Sequence, residues 1–124
     1  YEATSDNYNG PISLLAMLGG SENVQNWYPL MNHLGANQCW LWLQLHDIDI
    51  QLCYAMSWQV LHNNCPIERR PIKIEKPHTI GYSLTTKIKA GESCLLRKYV
   101  AVVDSRYHKK ENLIMDAIKC LTNL

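Results

Sequence analysis

The chain has 124 residues, the length of a single domain, since typical domains contain about 100–150 residues. Apolar residues make up 47% of it and charged residues only 19%, which excludes an intrinsically disordered chain. Twelve basic residues against eleven acidic ones leave a net charge of +1, so no broad positive field favours nucleic acid or an anionic membrane. We therefore expect neither of these partners.

Alternation of apolar and polar residues with a period of two predicts β-strands along the first half of the chain. Residues 12–18 form an apolar run that ends at Gly19 and Gly20, which predicts a strand followed by a turn. Residues 39–45 predict a second strand. One of its faces carries Cys39, Leu41, Leu43 and Leu45, and the other carries Trp40, Trp42 and Gln44.

The second predicted strand continues into a third over residues 48–56, joined to it as a hairpin by a corner at His46 and Asp47. Its inward positions are expected to be Ile48, Ile50, Leu52, Tyr54 and Met56, and its outward positions Asp49, Gln51, Cys53 and Ala55. Between Leu61 and Pro77 the prolines and paired asparagines predict a loop, with at most one short strand over residues 72–75.

The last third of the chain contains two further β-rich runs, residues 79–88 and 93–103. Lys89–Glu92 between them predicts a hairpin loop in which Gly91 takes a positive φ. Residues 110–122 change to helical spacing, with an apolar stripe at Leu113, Ile114, Ala117, Ile118 and Leu121. The sequence therefore predicts a mainly β fold, an antiparallel β-sandwich over residues 1–109 followed by a C-terminal helix over 110–124.

Metal-binding patterns are weak in this sequence. His46, Asp47 and Asp49 are close together at the predicted hairpin corner, but no further ligand follows them at suitable spacing. His62 and Cys65 supply half of a zinc site, and no second pair follows at zinc-ribbon distance. We expect no metal ligands and no cofactor-binding residues.

A cysteine nucleophile is a second chemical alternative, with Cys65 beside His62 or His78. It would make the chain a small cysteine-dependent hydrolase. With five cysteines and five histidines some pairing is always available, so this pattern has little specificity. Ser57 and Ser105 lie in no Gly-x-Ser-x-Gly motif, which argues against an acyl hydrolase.

Paired carboxylates are the groups that glycoside chemistry uses, one on each side of the scissile bond. Four acidic residues, Glu68, Glu75, Glu92 and Asp104, lie in predicted loops or at strand ends, the glutamates among basic neighbours. We interpret them as surface charges, and we expect this chain to contain no catalytic residue.

Trp40 and Trp42 share one face of a predicted strand and could form a flat platform for a sugar ring. Such a platform would make the chain a stand-alone carbohydrate-binding module. We expect instead that both rings fill a second layer of the core, because large aromatic side chains are usually well buried.

The cysteines are odd in number and irregularly spaced: Cys39, Cys53, Cys65, Cys94 and Cys120. We interpret them as reduced, buried thiols, which is typical of a cytoplasmic protein, in preference to disulfide pairing with one cysteine left over.

Three segments together resemble one family. They are residues 1–26, with Gly10-Pro11-Ile12 and Leu18-Gly19-Gly20; residues 52–56; and residues 88–106, with Lys89-Ala90-Gly91-Glu92 and Lys98-Tyr99-Val100-Ala101. They are similar to the N-terminal domain of family-65 glycoside hydrolases, the inverting maltose, trehalose and kojibiose phosphorylases. Asp104, Tyr107 and Gly19 depart from residues that are usual or common in the family, so no particular sugar specificity follows.

The resemblance implies that this chain is the second half of a larger β-supersandwich, whose helix leads toward a separate (α/α)6 catalytic barrel. The family's general acid and phosphate-binding residues are in that barrel, and none has a counterpart in this sequence. The chain is then a non-catalytic scaffold. Its expected partners are the rest of the parent phosphorylase, a second copy of itself, or an oligosaccharide that contacts its loops.

Overall fold

In the computed structural model, which describes residues 1–19, 30–45, 48–67, 70–77 and 79–122, strands make up most of the chain and a helix follows them. The strands are β1 (Glu2–Thr4), β2 (Gly10–Gly19), β3 (Leu30–Leu34), β4 (Gln38–Gln44), β5 (Gln51–His62), β6 (Cys65–Pro66), β7 (Ile72–Lys76), β8 (Thr79–Ile88) and β9 (Ser93–Asp104). A short 3-10 turn over Lys110–Asn112 leads into the helix α1 (Leu113–Thr122).

The strands form two antiparallel sheets that pack face to face. Sheet A has the order β1-β9-β5-β4-β3, with β6 paired to the end of β5, and sheet B has the order β2-β8-β7. The predicted mainly β sandwich with a C-terminal helix is therefore confirmed. So are the strands predicted over residues 12–18, 39–45 and 72–75.

The hairpin of β4 and β5 is confirmed, with Gln44 opposite Gln51, although its corner at His46 and Asp47 lies outside the described residues. The loop predicted from Leu61 onward begins too early. β5 runs to His62, and a tight turn returns the chain to pair Cys65 with His62. Asn63 and Asn64 make this turn with φ angles of 50° and 66°, a conformation that asparagine tolerates better than most residues.

The predicted hairpin of β8 and β9 is wrong, although both strands exist. β8 pairs with β2 and β7 in sheet B, whereas β9 pairs with β1 and β5 in sheet A. The two strands face each other across the core instead. Ile88 at the end of β8 and Cys94 at the start of β9 belong to the same buried cluster. Gly91 does take a positive φ, 86°, but in a corner between sheets.

The larger core lies between the two sheets, and its central side chains are fully buried. Leu14 and Ala16 of β2 meet Leu41 of β4 and Met56 of β5 there. Tyr82 of β8 lies in the middle, with no exposed surface.

A second core lies on the other face of sheet A, where α1 covers the strands. Leu113, Ala117 and Leu121 of the helix are buried against β5 and β9, as the predicted stripe requires. Cys53 and Ala55, predicted to point outward, are fully buried, because the helix covers the face that alternation assigned to solvent. Within the described residues, no helix is long and apolar enough to cross a bilayer.

Candidate functional site

The tryptophan platform is not exposed. Trp40 and Trp42 lie on the face of sheet A that α1 covers, and both are partly buried against the cluster that contains Cys53, Ala55 and Leu113. This agrees with the expected second core layer, so a flat sugar platform does not exist at these two residues.

The five cysteines form no disulfide, but only three of them are buried. Burial raises the pKa of the Cys39 and Cys53 thiols to about 12, and it also raises the pKa of Cys94. Such thiols are poor nucleophiles, because the thiolate is the reactive form. Cys65 and Cys120 are exposed, which corrects the expectation that all five are buried.

The imidazole of His62, proposed as a partner of Cys65, faces a carboxylate instead. His62 Nε2 lies 3.3 Å from Glu92 Oε1. The second proposed partner, His78, lies outside the described residues. The described geometry therefore places His62 opposite Cys65 in the β5–β6 ladder but brings its Nε2 to Glu92.

Glu92 is held in the corner between the two sheets by two hydrogen-bond donors and lies beside the His62 imidazole. Its carboxylate accepts hydrogen bonds from the Lys89 backbone N–H at 2.7 Å and from Asn63 Nδ2 at 2.9 Å. The Lys89 hydrogen bond, aided by those of Asn63 and His62, lowers the pKa of Glu92. This is the reverse of what a general acid in glycoside chemistry needs, since such an acid must retain its proton.

The other proposed acids do not gather around one site. Glu75 is exposed on β7, and Glu68 lies outside the described residues. Asp104 ends β9, the strand that Glu92 precedes, and twelve residues of strand span roughly 35–40 Å. Catalytic carboxylate pairs are separated by only about 5–10 Å.

Asp104 and Asp49 each have a basic partner. Arg106 donates to Asp104 through Nε at 3.1 Å, and its hydrogen bonds lower the pKa of that carboxyl group. Lys110 Nζ lies 3.0 Å from Asp49, the described member of the proposed metal cluster. Elsewhere in the described ranges, no three histidine, cysteine or acidic side chains come together as a metal site would require.

A groove lies in sheet A, on the edge of β5 between the β3–β4 turn and β6. We call it the β5 groove, with a volume of about 480 Å³. Its lining residues are Ala36, Asn37, Ser57, Trp58, Gln59, Val60, Pro66, Ile67, Pro71, Leu84 and Tyr99. None of these described lining residues is charged. The polar side chains are two amides, a serine hydroxyl and a phenol.

One wall of the β5 groove is fixed by hydrogen bonds. Trp58 donates from its indole Nε1 to Ala36 O at 3.2 Å and from its backbone N to Asn37 O at 3.0 Å. Tyr82 donates its hydroxyl to Gly35 O at 3.0 Å and also approaches Gln38 O. The Trp58 and Tyr82 rings stack with centroids 5.5 Å apart. The β3–β4 turn is therefore tied to the sandwich core.

A second, smaller groove adjoins the first and shares Ala36 and Pro71 with it. We call it the basic groove, since Arg70 and Lys73 line it; its volume is about 240 Å³. The adjoining pair of grooves offers neutral polar groups at one end and two cations at the other.

Sequence reasoning missed these grooves entirely. Ser57 and Tyr99 are 42 positions apart in the chain and become neighbours only because β5 and β9 pair with Ser57 opposite Tyr99. Trp58 and Gln59, which also line the β5 groove, lie beyond the strand that was predicted over residues 48–56.

The comparisons with known proteins agree with the resemblance found in the sequence. The family model described as "Glycosyl hydrolase family 65, N-terminal domain" matches residues 1–124. A comparison with curated proteins finds no match. The chain therefore belongs to the N-terminal domain of glycosyl hydrolase family 65.

Proposed function

We propose that this chain is the non-catalytic sandwich domain of an inverting phosphorylase that acts on an α-linked disaccharide. The observation that carries the proposal is the family match over residues 1–124. In the proposed reaction, phosphate attacks the anomeric carbon while a general acid of another domain protonates the leaving oxygen. The products are a sugar 1-phosphate of inverted configuration and a free sugar.

The state of the described carboxylates supports a scaffold role for this chain. Glu92 and Asp104 are each held as anions by hydrogen bonds, and neither has a second acid beside it among their described partners. A carboxylate stabilised in this way gives up its proton too readily to protonate a leaving group near neutral pH.

The proposed partner is the remainder of the enzyme, and the supporting feature is an open edge shared by both sheets. β1 pairs with β9 only as far as Leu95, and no described strand covers the same edge of β9 beyond Leu96. Val100 and Val102 are 45% and 54% exposed there. An uncovered strand edge with apolar side chains is a template for pairing with another chain segment.

Sheet B ends on the same side of the sandwich. β2 is its edge strand, and Lys98 Nζ of β9 donates to Met17 O of β2 at 2.6 Å. We call the two neighbouring edges, β9 from Arg97 to Val103 and β2, the open seam. A strand added to each sheet along this seam would cover both valines.

We also propose a cytoplasmic location. Five thiols without a disulfide, two of them exposed, fit a reducing compartment, because exposed thiols of secreted proteins are usually oxidised in pairs.

The proposal is tested by assaying the purified chain with phosphate and maltose, trehalose, kojibiose or nigerose. We expect no sugar 1-phosphate above the buffer rate. Formation of glucose 1-phosphate that Glu75→Gln or Glu92→Gln abolishes would show that the chain itself is catalytic and would contradict the proposal.

A further inference from the structure

We propose that the β5 groove and the basic groove together form a binding site for a sugar that carries one phosphate group. The sugar occupies the β5 groove, whose described lining residues are uncharged, and the phosphate lies beside Arg70 and Lys73. The inference is argued from the lining of the two grooves and does not require catalysis by the chain. It rests on the proposed function only for the choice of the first ligand to test.

The β5 groove has the size and composition of a small-molecule site. A volume of about 480 Å³ is within the range of about 300–1,000 Å³ that is usual for ligand pockets. Val60 and Leu84 supply buried apolar surface, while Asn37, Ser57 and Gln59 supply donors and acceptors. Amide and hydroxyl groups match the hydroxyls of a sugar, since each can both donate and accept.

Tyr99 supplies an aromatic ring in the groove. It is 45% exposed and lies opposite Ser57 in the sheet, on the face that also carries α1. A partly exposed ring can pack on the apolar face of a pyranose while its hydroxyl bonds to water or to the sugar. A purely apolar ligand would leave these neutral polar groups without partners.

The basic groove distinguishes a phosphorylated sugar from a neutral one. Arg70 and Lys73 are both exposed, and their side chains line the continuation of the β5 groove past Ala36 and Pro71. Arginine can bind a phosphate with two parallel hydrogen bonds and lysine attracts it as a point charge. The two cations therefore supply the contacts for the phosphate group of the ligand.

The site is largely formed before a ligand binds. Trp58 and Tyr82 hold the turn between β3 and β4 through their hydrogen bonds to Ala36 O, Asn37 O and Gly35 O. A preformed wall lowers the conformational cost of binding. Binding of a small sugar phosphate then needs little rearrangement.

The test is calorimetric titration of the chain with glucose 1-phosphate, glucose and inorganic phosphate in separate experiments. We expect glucose 1-phosphate to bind at least about tenfold more tightly than either component alone, because it engages both grooves. Its affinity should fall as salt is added, since the phosphate contacts are exposed.

Four variants separate the two ends of the site. Lys73→Ala should reduce the affinity for glucose 1-phosphate toward that for glucose, whereas Tyr99→Ala should weaken both ligands. Tyr99→Phe retains the ring and should retain binding, which controls for a loss of folding. Tyr107→Ala, at a tyrosine 80% exposed and absent from either groove lining, should change nothing.

Three results would overturn the inference: no saturable binding of glucose 1-phosphate, binding no tighter than that of inorganic phosphate, or equal weakening by Tyr107→Ala. The experiment involves no turnover, so its failure leaves the scaffold proposal standing. Conversely, catalysis by the chain would contradict the scaffold role without affecting this binding result.

Discussion

Glu92 was a candidate catalytic acid in the sequence, but in the structure its carboxylate stabilises the corner between the two sheets. It lies beside a histidine and among lysines, yet its oxygens accept from Lys89 N–H and Asn63 Nδ2. Asn63 in turn accepts from Ser93 N–H through its own Oδ1 at 3.1 Å. The network joins the turn after β5 to the corner between the two sheets, so Glu92 fixes where the chain crosses from one sheet to the other.

The charge of Glu92 should stabilise the fold in a pH-dependent way. Its pKa is lowered from the usual 4.5 on folding, so the stabilisation is present above pH 4.5 and is lost as the pH falls through the lowered value. Glu92→Gln should therefore lower the free energy of unfolding at neutral pH and change it much less in acid. Urea titrations at both pH values measure this difference.

Glu75→Gln is the matched control, because Glu75 is exposed on β7, away from the corner. A Glu92→Gln effect that equals the control effect, or that is the same in acid and at neutral pH, would mean that the network does not stabilise the ionised carboxylate.

The thiols should divide into two classes. Cys65 and Cys120 are exposed, whereas Cys39, Cys53 and Cys94 are buried with raised pKa values. We expect timed alkylation of the native chain at neutral pH to modify the first two at rates ordinary for a free thiol and to leave the other three unmodified. Mass spectrometry after digestion reads the sites. One cysteine that reacts orders of magnitude faster would instead support the cysteine-hydrolase alternative.

At the scale of elements, the helix α1 buries the face of sheet A that is turned away from sheet B. It packs Leu113, Ala117 and Leu121 onto β5 and β9, and it converts the outward face of β5 into a second core. Alternation alone could not predict this, since a strand covered on both faces loses its polar positions. The sequence hinted at it through Trp40 and Trp42, which were expected in a second core layer, and through Cys53 and Ala55, which are not typical solvent-facing residues.

Truncation of the helix stripe tests the second core. Leu113 is fully buried, so Leu113→Ala should lower the free energy of unfolding by about 2–5 kcal/mol, the usual cost of this truncation in a core. Met115 lies on the same helix but is 58% exposed, and Met115→Ala should change it by less than about 0.5 kcal/mol. Equal effects of the two substitutions in denaturant titrations would show that the helix is not docked on sheet A.

The positions of most described strands could be predicted from the sequence, but the pairing between strands could not. β2, β4, β8 and β9 follow from local alternation and from turn residues such as Gly91. Whether β8 turns back beside β9 or crosses to face it depends on the long-range pairing of β9 with β5, which no local pattern encodes. The β5 groove was hidden for the same reason, since its residues meet only after that pairing.

At the scale of the whole molecule, the helix covers one face of the sandwich, and no described strand covers one of its sides. Sheet A places Val100 opposite Met56 and Val102 opposite Tyr54, on the face turned toward sheet B. Met56 is fully buried, yet both valines are exposed, and β2 is the last described strand on this side of sheet B. We infer that the open seam receives strands from the rest of the enzyme, or from a second copy when the chain is alone.

The most direct test of this account is sedimentation of the isolated chain over a wide concentration range. We predict self-association that increases with concentration and that Val102→Lys suppresses, because a charge on the edge of β9 blocks strand pairing. Met115→Lys, which places the same charge at an exposed apolar residue on the helix, should leave the association unchanged. A chain that stays monomeric at high concentration and unfolds in one cooperative thermal transition would show that its core is complete without a partner, and it would contradict the account.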